Sequence, residues 1–131
     1  GMPFTTVELV KQFEPRAADV VYGMDKLLAL KDFPRARAIT IISIADSNVN
    51  GSPMTIRPVG SDGPDPNDGL LYIGEPEPMH DITTPLRYTK LAHTIEIVKA
   101  AFPYYGVVFH TGPTPPTAGF CWAYALIWVE D

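Results

Sequence analysis

Residues 119–129 alternate without leaving a polar face: Phe120, Trp122, Tyr124, Leu126 and Trp128 fall on one side of an extended chain, and Cys121, Ala123, Ala125, Ile127 and Val129 on the other. A strand that is apolar on both sides must be covered on both, so this pattern predicts a central strand with material packed above and below. The side of small residues suits a closely docked helix. The aromatic side needs a deeper partner, and three are open: ordinary core under the N-terminal helices, a homodimer interface, or a concave ligand pocket.

Other stretches carry helical signals. Thr5-Thr6-Val7-Glu8 has the form of a capping box, with Phe4 and Leu9 placed as a hydrophobic staple, which predicts a short helix ending at Pro15. A second helical stripe follows in Ala17, Val20, Val21, Met24, Leu27 and Leu28. Thr84-Pro85 marks a third helix start, and Leu91, Ile95, Val98 and Phe102 recur at intervals of four, three and four until Pro103. Strands are predicted over residues 38–45, 54–59, 70–73 and 104–110 besides the closing one, with Asn50-Gly51 as a hairpin turn between the first two. The order α-α-β-β-β-α-β-β predicts a single α+β domain over residues 1–131, an antiparallel sheet of about five strands with helices mainly on one face. A symmetric link between the last two strands sets His110 opposite Phe120 and Val108 opposite Trp122, which brings His110 onto the aromatic side.

Composition narrows the function classes. At 131 residues the chain is one domain by length. Gly1 before Met2 reads as the remnant of an expression tag, so the native chain is expected to start at Met2, with neither a signal peptide nor an apolar run long enough to span a membrane. A net charge of −5 without a basic cluster argues against nucleic acid as a partner. A lone cysteine, Cys121, excludes an internal disulfide and points to a reducing, cytoplasmic setting. The 14 prolines and 10 glycines gather between the patterned segments, where they serve as turn formers.

Catalytic and metal-binding chemistry is thinly represented. Asp46-x-Asn48-x-Asn50-Gly51 opens like a calcium loop of the EF-hand kind, but Arg57 stands where the closing glutamate belongs. Asp62, Asp65 and Asp68 are interleaved with prolines and read as a solvated loop. His80, His93 and His110 are too scattered to form a metal site, and no cofactor is implied. Cys121, on the small side, is expected to be buried and unreactive. The leading reading is a non-catalytic binding or assembly protein acting as a homodimer or complex subunit through Phe120, Trp122, Tyr124 and Trp128. The alternative is an enzyme or carrier for an apolar small molecule, with His110 as general acid or base and Trp122, Tyr124 and Tyr72 holding the ligand.

Overall fold

The fold is that of a computed structural model, which describes residues 3–23, 27–46, 54–65, 71–72, 77–78 and 88–130, with the backbone alone at 71–72, 77–78 and 88–89. The strands are β1 (Phe4–Phe13), β2 (Val21–Tyr22), β3 (Leu28–Ala29), β4 (Ala36–Asp46), β5 (Met54–Ser61), β6 (Leu71–Tyr72), β7 (Glu77–Pro78), β8 (Tyr88–Glu96), β9 (Tyr104–Thr111) and β10 (Cys121–Val129). Leu30–Asp32 and Ile97–Lys99 form single 3-10 turns, and among the described residues there is no α-helix. None of them therefore forms a helix long and apolar enough to cross a membrane.

These strands make two antiparallel sheets packed as a sandwich, which overturns the α+β expectation. One sheet has the order β1-β10-β4-β8; the other runs β2-β9-β5-β6, with β3 also paired to β9 and β7 to β5. The closing strand β10 is central, as its two apolar faces require, with β1 on one side and β4 on the other. Its small face is the inner one. Cys121, Ala123, Ala125 and Ile127 are each 0% exposed and share one core with Leu9, Ile39 and Ile41 of their own sheet and Met54, Ile56, Tyr105, Val107 and Phe109 of the other. Phe13 of β1 meets Phe109 of β9 edge-on across the gap, ring centroids 5.3 Å apart.

Each expected helix is resolved differently. Residues 5–13 belong to β1, where register shifts between Glu8 and Val10 and between Val10 and Phe13 put the adjacent Leu9 and Val10 both in the core and blur the period of two. The stripe over residues 17–28 forms no helix at its described residues 17–23 and 27–28, where Val21 is exposed, and its Met24 lies outside the described residues. It is tied to β9 by Thr111, whose hydroxyl donates to the Ala17 carbonyl at 2.7 Å and accepts from the Val20 amide at 2.9 Å. The third helix is replaced by β8, which turns Leu91, His93 and Ile95 inward at a period of two and ends before Val98, left 83% exposed. Thr84 and Pro85 lie outside the described residues.

Two pairings are corrected as well. The last two strands do not pair: β9 runs beside β5 in one sheet and β10 beside β4 in the other, so His110 does not face Phe120. Strands β4 and β5 likewise sit in different sheets, which rules out a tight hairpin between them; Asn48, Asn50 and Gly51 themselves lie outside the described residues. A link that crosses between layers has no register to transmit, which is why symmetry about the 111–118 segment misleads.

Candidate interaction face

Since the small side chains of β10 point into the sandwich, its aromatic side forms the outer surface of the four-stranded sheet. Trp122, Tyr124, Leu126 and Trp128 are half-buried there. The register continues this surface across all four strands in rows. Phe4, Trp128, Ala38 and Glu96 make the first row, Thr6, Leu126, Thr40 and Thr94 the second, and Glu8, Tyr124, Ile42 and Ala92 the third. Trp122, Ile44 and Lys90 form the fourth. The centre of the sheet thus carries aromatic and aliphatic side chains, while charged groups stand on the two edge strands.

Local contacts hold the rings in place. The Trp128 indole N–H donates to Thr40 Oγ1 at 2.9 Å, and Thr40 Oγ1 lies 3.1 Å from Thr94 Oγ1, so one hydrogen-bonded chain crosses β10, β4 and β8. Phe4, 54% exposed, tilts against Trp128 with ring centroids 5.2 Å apart, and Phe120 tilts over Trp122 at 5.5 Å. Tryptophan held by its indole N–H while its ring faces outward is a common arrangement at protein interfaces.

The outer surface of the second sheet differs. Val59 and Val108 on it are each 1% exposed, whereas Val21 is 41% exposed and Thr55 and Arg57 are half-buried. His110 belongs to it, opposite Thr55 and Val21, and its imidazole is pulled below the ordinary histidine value, first by burial and then by the nearby Arg57 guanidinium. The structure therefore brings together Phe120, Trp122, Tyr124 and Trp128 but places His110 on the other sheet. Tyr72 pairs with Val59 through its backbone in that second sheet, while its side chain lies outside the described residues, as does His80.

Cys121 is fully buried on the inner side, and burial, reinforced by the Asp46 charge, pushes its thiol up to about 12 against a smaller opposing effect of Arg16. His93 lines a groove at the β8 edge together with Phe102 and Tyr105. Sequence reasoning missed Phe4, Ile42 and Ile44 as members of the face. A signal existed for the isoleucines: residues 38–45 are apolar on both sides, as residues 119–129 are, which marks a second central strand. No family model matches this chain and no curated protein matches it, so the reading of function rests on the face itself.

Proposed function

We propose that the protein is a non-catalytic assembly module that associates with itself through the outer face of the four-stranded sheet. The observation that carries this reading is the contrast between the two outer surfaces. One mixes buried Val59 and Val108 with polar or charged Thr55, Arg57 and His110; the other groups the large apolar side chains Phe4, Trp122, Tyr124, Leu126 and Trp128, half-buried or exposed in the single chain. Aromatic residues grouped at the centre of a patch, with charges at its margin, are the composition of a protein interface. His110, the acid or base named for the small-molecule reading, stands on the opposite sheet, away from Trp122 and Tyr124, which were to hold the ligand. A cysteine buried without need of a disulfide suits a cytoplasmic setting.

Sedimentation equilibrium of the wild type and of Leu126→Lys tests the reading. The wild type is expected to sediment above its 14.4 kDa chain mass at micromolar concentration and the variant at that mass, with both keeping the far-ultraviolet spectrum of a β protein. A wild type that stays at the single-chain mass over the whole concentration range would overturn it.

A further inference from the structure

The two edges of the four-stranded sheet are unlike, and from the difference we infer that β8 takes an extended peptide of another protein as a fifth strand of that sheet. The inference uses the edge and not the aromatic face, so it stands or falls apart from the self-association proposed above. β1, at one edge, is broken by two register shifts, which interrupt the row of backbone groups a new strand would need. β8, at the other, pairs with β4 residue for residue, from Tyr88 with Asp46 to Glu96 with Ala38, without a shift and without a proline. Among the described residues no strand pairs with its other side. Such an edge is a template for one more strand.

The inner side of β8 is also incompletely covered. Leu91, His93 and Ile95 face the core layer but stay half-buried, whereas their partners on β4, Ser43, Ile41 and Ile39, are at most 2% exposed. Beside them a groove of about 370 Å³ is lined by His93, Thr94, Ile95 and Glu96 on one side and by Phe102 and Tyr105 on the other. Successive residues of a strand point to opposite sides, so a groove that touches four in a row runs along the backbone edge itself, where N–H and C=O groups alternate. That edge matches an extended main chain, and the groove receives the side chains such a chain directs inward. The far wall is fixed: Phe102 lies against the bare backbone of Gly60, in the space a Cβ would occupy, and its amide donates to the Tyr105 hydroxyl at 3.2 Å.

The residues along the edge decide what kind of strand fits. Opposed residues in a ladder share a side, so a second β8 related by a two-fold axis can be centred only on a residue. Centred on Ala92, His93 or Thr94, it sets His93 against Leu91, His93 or Ile95 of the other copy, which puts an imidazole against apolar groups or its like in the inner layer. Centred on Leu91, it pairs only Tyr88 to Thr94 and leaves Ile95 and the groove uncovered. A different chain can answer each position. An acidic residue suits the place opposite His93, where Lys90, Glu96 and Lys99 already sum to one positive charge, with Glu96 and Lys99 paired at 3.2 Å. Bulky apolar residues suit the places opposite Ile95 and Leu91, the first of them over Phe102 and Tyr105. In antiparallel pairing, the more stable kind, the segment reads apolar-x-acidic-x-apolar.

The probe is the capped peptide acetyl-Thr-Phe-Thr-Glu-Thr-Val-Thr-amide, which carries that pattern, titrated to millimolar concentration into isotope-labelled protein with amide exchange followed by NMR. Between Lys90 and Glu96, exchange of the alternate amides that point away from β4 is expected to slow by about tenfold or more at saturation, because new hydrogen bonds hold them. N-methylation of every second peptide residue should abolish the effect in one phase and spare it in the other, since only alternate N–H groups of the added strand face β8. Exchange in β8 that is slow without peptide and quickens on dilution would assign the edge to a second copy and overturn the inference. It is equally overturned by exchange in β8 that millimolar peptide leaves unchanged, by peptide-induced shifts confined to Trp122, Tyr124 and Trp128, or by equal loss of binding in both N-methylated forms.

Discussion

Two neighbouring residues of β10 give the sharpest contrast in the molecule, because Ile127 points into the sandwich and Leu126 away from it. Ile127 is 0% exposed and pairs across the sheet with Ile39, also 0% exposed. Ile127→Ala removes three carbons, worth about 2.4 kcal/mol at roughly 0.8 kcal/mol per carbon, and the unfilled space raises the loss to about 3–4 kcal/mol. At roughly 4 °C per kcal/mol for a chain of this size, the melting temperature should fall by about 14 °C. Leu126→Ala removes the same number of carbons from a half-buried position. It should cost about 1 kcal/mol, or about 4 °C. Thermal melts followed by far-ultraviolet circular dichroism, at a dilution where the chain sediments as a monomer, keep the interface out of both values. A loss for Leu126→Ala equal to or larger than that for Ile127→Ala would mean that the aromatic side is the core and the assignment of the two faces is inverted.

Three further expectations follow from single positions. Gly23 has φ +97°, and a Cβ there would meet the Val107 carbonyl oxygen at 2.5 Å; Gly23→Ala should therefore destabilise the fold by about 1–3 kcal/mol in urea titration, and an unchanged midpoint would refute the tight approach of this segment to β9. Cys121, buried with its thiol pushed up to about 12, should resist aromatic disulfide reagents at pH 8 until the chain unfolds, so rapid labelling of the native protein would show the inner face to be open. His110 has a lowered pKa when folded, so below its unfolded value of about 6.5 the unfolded chain binds more protons than the folded one, and stability falls as the pH falls from about 7 towards 5. Glutamine at position 110 should reduce that fall in a series of urea titrations, and an unaltered pH dependence would remove His110 as a contributor.

The strands were more legible in the sequence than the architecture. β4, β5, β9 and β10 fall where β-branched and aromatic runs predict them, and β10 is central because both its faces are apolar. The helices were misread because β8 admits two periods: Leu91, Ile95 and Val98 follow helical spacing, while Leu91, His93 and Ile95 follow strand spacing. Choosing the second required accepting a histidine on the inner side. In β1 the capping-box pattern Thr5-x-x-Glu8 satisfies a helix start, but the paired β10 supplies the backbone partners instead. Which face of β10 is inner could not be read locally, since burial depends on the facing sheet, whose residues lie elsewhere in the chain. His110 was misplaced for a related reason: the link before β10 changes layers, and hydropathy does not record that.

Both tryptophans of the chain, Trp122 and Trp128, lie on the outer face of the four-stranded sheet, so tryptophan fluorescence, excited beyond the tyrosine absorption band, reports on that surface. Acrylamide quenching measured across a dilution series, alongside the sedimenting mass, is therefore the most direct measurement of its role. Quenching should rise and the emission maximum move to the red as the mass falls to that of one chain, because dilution uncovers the rings. Quenching that stays constant while the mass halves would place the interface elsewhere and contradict the assignment of this face.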